Sequence, residues 1–198
     1  SFAGTNFGGE PVVTSSGKFV FASAVVTPGI EAFSVGSNGS LSMIAGSPFS
    51  IPAPNFVVGR IAVDPAARFL FTTDPVFDHI AVYTIDATGA LTALNTTFST
   101  GPAGSSPAGV VTDPAGKFLF AANQGGNSLA AFTIDSATGN LSPIPGSPFA
   151  TSAGMPVPIV VHPSGKFLYT GLTQVGGIDG FAIDSQTGAL TKMPGSPF

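Results

Sequence analysis

Apolar positions along this chain fall in short runs separated by clusters of Gly, Pro, Asp, Ser and Asn, and nowhere hold a helical spacing. The runs recur in groups of four. Run a is Pro11–Thr14, Ile61–Asp64, Val110–Asp113 and Ile159–His162. A tight turn such as Asp64-Pro65-Ala66-Ala67 leads to run b, written Lys18-Phe19-Val20-Phe21, Arg68-Phe69-Leu70-Phe71, Lys117-Phe118-Leu119-Phe120 and Lys166-Phe167-Leu168-Tyr169. Run c carries Phe33, Tyr83, Phe132 and Phe181, and a turn ending in Gly39, Gly89, Gly139 or Gly188 precedes run d. Run d opens on Leu41, Leu91, Leu141 and Leu190 and closes on Phe49, Phe98, Phe149 and Phe198. Three of these closing residues end a Gly-Ser-Pro-Phe motif, whereas the second unit reads Asn95-Thr96-Thr97-Phe98.

The basic residues of run b stand 50, 49 and 49 residues apart. Four short strands in each such unit, repeated in tandem, predict an all-β protein. Its architecture is a β-propeller, with four four-stranded antiparallel blades packed radially about a channel. Run a is then the innermost strand. A β-sandwich is the competing architecture, but it has no reason to hold its aromatics in a fixed register. The turn glycines supply the positive φ that a bulged hairpin needs.

Composition fits stacked blades. Hydrophobic residues make up 43% of the 198 and charged residues 8%, far below the roughly 25% of an average protein. Strands covered on both faces need few charges. The net charge is −4 and four of the six basic residues are taken by the repeat, which argues against nucleic acid as a partner. No apolar run is long enough for a membrane-spanning helix, and the absence of Cys excludes disulfides and thiolate metal sites. Low charge without Cys also fits an exported bacterial protein. Residues 1–198 read as one propeller or half-propeller cut at a d–a loop, because Ser1-Phe2-Ala3-Gly4 resembles the segment that follows Phe149. The expected outcomes are a closed four-blade ring, two chains closing an eight-blade ring, or part of a longer propeller.

The stretch from Asp113 to Asn123, with Ala131-Phe132-Thr133-Ile134-Asp135, Thr138-Gly139-Asn140-Leu141 and Gly146-Ser147-Pro148-Phe149, resembles the bacterial lactonase-like β-propellers of the 6-phosphogluconolactonase type. The resemblance runs over essentially the whole chain. It implies the propeller fold and, as an expectation, hydrolysis of sugar lactones. The matching residues build the blades. The family usually closes with seven blades, where this chain supplies about four.

Removing the repeat leaves a short set of candidate functional residues. Among aromatics, only Phe2, Phe7, Phe56 and Phe77 fall outside repeat slots, all in d–a or b–c connections that emerge on one face of a propeller. Unmatched apolar side chains on one face mark a contact surface or fill gaps between loops and blades. Glu10 and Arg60 occupy equivalent positions at the start of run a in adjacent blades. There they meet at the channel mouth, either as an inter-blade ion pair or as an arginine grip for a carboxylate or phosphate with a carboxylate proton acceptor beside it. Asp74, Asp78 and His79 crowd the most polar b–c loop, a grouping able to hold a cation or serve as an acid–base pair. Glu31 and Asp179 share a slot two residues before the run c aromatic, Lys192 lies outside the common basic slot, and His162 replaces a turn Asp.

No zinc spacing, phosphate loop or serine elbow occurs, and neither a cofactor nor a metal is expected. Because blade-building residues dominate, the leading expectation is a non-enzymatic binding or scaffold module. It would act through its loop face on a protein or small molecule, around Phe7, Phe56, Arg60, Asp74, Phe77, Asp78 and His79, and close a ring by self-association. One alternative is a lactone hydrolase using Arg60 with Glu10 or His79. The other is a structural subunit of a ring or filament.

Overall fold

The computed structural model describes residues 10–24, 29–51 and 57–198, and these form four successive antiparallel sheets. Blade 1 holds β1 (Val12–Val13), β2 (Phe19–Ala24), β3 (Gly29–Val35) and β4 (Leu41–Met43). Blade 2 holds β5 (Ile61–Val63), β6 (Phe69–Asp74), β7 (His79–Ile85) and β8 (Leu91–Ser99). Blade 3 holds β9 (Pro107–Thr112), β10 (Phe118–Asn123), β11 (Ser128–Ile134), β12 (Leu141–Pro143) and the short β13 (Phe149–Ala150), which pairs with β11. Blade 4 holds β14 (Pro156–Val161), β15 (Phe167–Leu172), β16 (Ile178–Ile183) and β17 (Leu190–Lys192). Each sheet keeps sequence order, and the first strands β1, β5, β9 and β14 lie next to one another on the inside. This is the blade arrangement of a β-propeller.

The strands are where the apolar runs predict, with two differences. β9 and β14 begin at Pro107 and Pro156, earlier than runs a. Register shifts opposite Ala122–Asn123 and at Pro156–Ile159 let the chain keep pairing through residues that read as loop. The outer edge differs in the other direction. β8 runs unbroken to Ser99, but the Gly-Ser-Pro-Phe units interrupt the d strand with a cis Ser–Pro bond at Pro48, Pro148 and Pro197. The motif serine reaches across to strand c: the Ser47, Ser147 and Ser196 hydroxyls accept the amides of Ala32, Ala131 and Gly180 at 2.7–3.0 Å. The closing Phe then pairs with Ile30, Leu129 or Ile178, the slot where Phe98 meets Ile80 in the unbroken strand.

Alternation along the strands builds three cores, one between each pair of successive blades. Phe21 and Ile30 of blade 1 pack on Leu70, Ala81 and Tyr83 of blade 2. Phe69 and Phe71 meet Leu119 and Phe132 across the second interface, and Phe118 and Phe120 meet Leu168 and Phe181 across the third. Thus one face of each blade presents the two aromatics of run b. The opposite face presents the run b aliphatic and the run c aromatic.

The repeated order basic–Phe has a physical cause in these interfaces. Phe19, Phe69 and Phe118 lie under the c–d turns of the following blades, where a Cβ on Gly89, Gly139 or Gly188 would stand 2.6 Å from a ring carbon. The same glycines have φ of 84°, 78° and 75°, so both backbone and space demand glycine. The basic neighbour closes the clamp. Arg68 Nη1 donates to the Ser136 carbonyl at 2.6 Å, and Lys117 Nζ donates to those of Ser185 and Gln186 at 3.2 and 2.9 Å. Each cation also stands over the ring it precedes, Arg68 over Phe69 and Lys117 over Phe118.

Turn acids do local work. Asp64 and Asp113 accept the amides that open run b, and His162 takes this place in blade 4 by bonding Ser164. At the c–d turns the Thr88 hydroxyl holds Asp86 below the usual carboxylate range, and the amides of Thr138 and Thr187 do the same for Asp135 and Asp184. Burial pushes the Tyr83 phenol well above its usual range; its hydroxyl donates to the Ser50 carbonyl at 3.2 Å.

Candidate active site

The four innermost strands enclose one side of a cavity of about 240 Å³ whose walls are Pro11, Val12, Ile61, Ala108–Val110 and 157–160, with Glu10 and Arg60 as its charged residues. Arg60 Nη1 lies 3.2 Å from Glu10 Oε1, so the two equivalent positions of adjacent blades do meet at the channel. The Arg60 backbone is fixed by β6: its amide donates to Thr73 Oγ1 at 3.0 Å and its carbonyl accepts the Thr73 amide at 3.1 Å. The side chains stay wet, at 37% exposure for Arg60 and 86% for Glu10. An ion pair this exposed contributes about 0–1 kcal/mol to stability. Folding therefore does not require it. Opposite, Gly109 stands so close to the Val157 carbonyl that a Cβ would collide with it, and β9 and β14 form a tight backbone-to-backbone wall.

His79 is elsewhere. It opens β7, the third strand of blade 2, pairs with Asp74 and Ser99, and does not line the cavity. The loop it follows is organised for its own sake. Asp74 is buried, with Oδ1 accepting the amides of Val76 and Phe77 and Oδ2 lacking a hydrogen bond. Asp78 accepts the amides of Gly104 and Ser106 at 2.7 and 2.5 Å, which ties blade 2 to the loop entering blade 3. Asn127, in the same slot one blade on, ties down Gly154 and Met155. Both residues sit at positive φ. Among the described residues no group of three His, Asp or Glu is placed to hold a metal ion. Phe77 is half exposed beside Val76, while Phe7 and Phe56 lie outside the described residues.

Asp179 and Lys192 come together in a cluster that the sequence offers only in pieces. Asp179 is buried on β16; Oδ2 accepts the Ser152 amide at 2.5 Å, and Oδ1 lies 3.0 Å from Ser152 Oγ and 3.2 Å from Lys192 Nζ. Lys192 also donates to Ser152 Oγ, and the Ser196 hydroxyl reaches Asp179 at 3.3 Å. The pairing of Phe181 with Lys192 puts Lys192 diagonally across from Asp179, a proximity readable from hairpin register. Ser152, in the loop between blades, carries no such signal. Lys192 is thus the charge partner of the buried Asp179 carboxylate. Glu31, the matching acid of blade 1, is buried on β3.

A family model described as lactonase, 7-bladed beta-propeller, matches residues 61–197. The chain belongs to this family. Solved structures share the fold of the lactonase-like propeller. A candidate 6-phosphogluconolactonase of Bacteroides fragilis NCTC 9343 superposes with a TM-score of 0.80 at 20% identity, over 96% of this chain and 58% of its own. A functionally unknown protein of Desulfotomaculum acetoxidans DSM 771 gives 0.78 at 21%, over 98% and 56%. The periplasmic gluconolactonase of Pseudomonas aeruginosa gives 0.77 at 20%, over 92% and 52%. The chain thus spans little more than half the length of these propellers. None of the curated proteins compared with it matches.

Proposed function

We propose that this lactonase-like propeller chain takes part in hydrolysing sugar lactones at its channel mouth, with Arg60 and Glu10 as the reacting pair. The observation that carries the reading is their 3.2 Å approach at the cavity lined by the innermost strands. Family membership and the gluconolactonase among its structural relatives favour this over a non-enzymatic scaffold. So does the loop face, where the Asp78 carboxylate is occupied by backbone amides.

In this reading the Arg60 guanidinium turns from Glu10 to the lactone carbonyl oxygen and stabilises the negative charge that develops there. The Glu10 carboxylate takes a proton from the attacking water. The new C–O bond forms, the ring C–O bond breaks, and the proton passes to the departing ring oxygen, giving a hydroxy acid. Arginine also suits a phosphate on the substrate, through paired N–H donors.

Proton release from six-carbon aldonolactones, with and without a terminal phosphate, tests the assignment. Arg60→Ala is expected to lower kcat/KM at least about 100-fold, with an unchanged circular dichroism spectrum. Turnover that survives Arg60→Ala would remove the channel mouth as the site.

A further inference from the structure

We propose that a cavity between blades 2 and 3, on the face of the d–a and b–c loops, binds one neutral, hydroxyl-bearing ring of pyranose size. This goes beyond the lactonase reading and does not depend on it, because the cavity shares no lining residue with the channel mouth. Its walls come only from the two blades that have neighbours on both sides. It holds about 260 Å³ between the 102–105 loop, the 125–128 turn and the strand edge at Pro148 and Ala150. That is near the lower end of the roughly 300–1,000 Å³ usual for small-molecule sites.

The cavity exists because the repeat breaks. Gly125 and Gly126 stand where blade 2 carries Val76 and Phe77, so the b–c turn of blade 3 has no side chains to fill the space. Gly125 is demanded by packing, since a Cβ there would collide with the Gly104 carbonyl oxygen. Gly126 is not: its φ lies outside the left-handed region, and the nearest atom to a Cβ would be Ser128 Oγ at 3.3 Å. The walls are braced before any ligand arrives. Asp78 accepts the Gly104 and Ser106 amides, and the Ser105 carbonyl accepts those of Gly125 and Gly126 at 3.0 and 3.1 Å. Such preorganisation removes much of the ordering cost of binding.

The lining offers hydrogen bonds but no charge. Ser128 is only 8% exposed, and its Oγ accepts Asn123 Nδ2 at 3.2 Å. Asn123 is fully buried and held from its other side by the Thr100 carbonyl. The Ser128 hydroxyl hydrogen therefore has no acceptor among the described residues, and the cavity is the space left for it to donate into. Asn127 gives its Oδ1 to the Gly154 and Met155 amides, which leaves Nδ2 as a free donor at the rim. Ser105 Oγ donates to the Pro102 carbonyl at 2.6 Å and keeps its lone pairs as acceptors. Sugar hydroxyls both donate and accept, and match this set. Pro102, Ala103, Pro148 and Ala150 supply an apolar surface for the C–H face of a ring. No lining side chain is ionisable, so nothing offsets the desolvation of a charged ligand.

Amide NMR on the 198-residue chain tests this with the methyl glycosides of glucose, galactose and mannose. At least one of them is expected to shift the Ala103–Ser105 and Gly125–Ser128 amides saturably, with a Kd on the order of 1 mM. Gly126→Phe installs the ring that blade 2 carries in this slot and should abolish those shifts. Ser128→Ala leaves Asn123 bonded to Thr100 and should weaken binding roughly threefold to tenfold. Unchanged blade 4 amides report an intact fold in both variants. Cyclohexylmethanol, a ring of similar size without ring hydroxyls, should not bind. The proposal is overturned if none of the glycosides gives a saturable shift or if cyclohexylmethanol binds equally well. Binding that survives Gly126→Phe, or shifts confined to channel residues such as Ile61 and Val110, would also overturn it.

Discussion

At the scale of single residues, the recurrent positions are explained by neighbours one blade away. The repeated Phe is visible in the sequence, but its partner glycine lies about 70 residues on: Phe69 under Gly139. Two causes of glycine can be separated by experiment. Gly139→Ala meets both a left-handed backbone and a ring, whereas Gly176, with a φ of 78°, has open space around it. Gly176→Ala should cost about 1 kcal/mol and Gly139→Ala at least twice that, read as shifts in urea midpoint. Equal costs would mean that the ring contact contributes nothing. The turn acids make a pH prediction. The Thr138 amide is the main cause holding Asp135 below its unfolded value. Its contribution to stability is therefore complete above about pH 4 and is lost as pH falls through the lower folded value. Thermal midpoints of Asp135→Asn measured from pH 6 to pH 2 should accordingly fall less steeply than those of the unsubstituted chain.

At the scale of elements, strand number, order and facing were legible because alternation and turn residues agree. The starts of β9 and β14 were not, since Pro107 and Pro156 read as loop and only pairing with β10 and β15 makes them strand. The same blind spot hid part of the cavity wall, Ala108, Gly109, Val157 and Pro158. Glu10 and Arg60 were legible as a pair because they share a slot. Ser152 was not, because a loop serine becomes informative only once Asp179 is seen facing it. That cluster carries a prediction for the interface of blades 3 and 4. Asp179→Ala strands Lys192 and the Ser152 amide and should cost about 3 kcal/mol. Asp179→Leu combined with Lys192→Met removes both charges and should be milder than Asp179→Ala alone. Urea denaturation decides it; a double variant as unstable as the sum of its parts would contradict the pairing.

At the scale of the whole molecule, the repeat determines that each blade needs neighbours on both sides, and blades 2 and 3 have them. The family match and the shared fold of the solved relatives agree with a propeller, in which the innermost strands come together at the channel. Here that place holds one arginine and one carboxylate in an otherwise apolar wall. Sequence reading reached these two residues by subtracting the repeat, yet it ranked a scaffold first, since a single pair among so many blade residues is a faint signal. It also linked His79 to the same site, which the third-strand position of that residue does not support. The decisive measurement is the rate of proton release from a six-carbon aldono-δ-lactone above its spontaneous hydrolysis, for the unsubstituted chain and for Glu10→Gln. Catalysed turnover that falls at least about 100-fold in kcat on this change, with KM little altered, is the predicted result. Turnover equal to the spontaneous rate in the unsubstituted chain, or unaffected by Glu10→Gln, would contradict it.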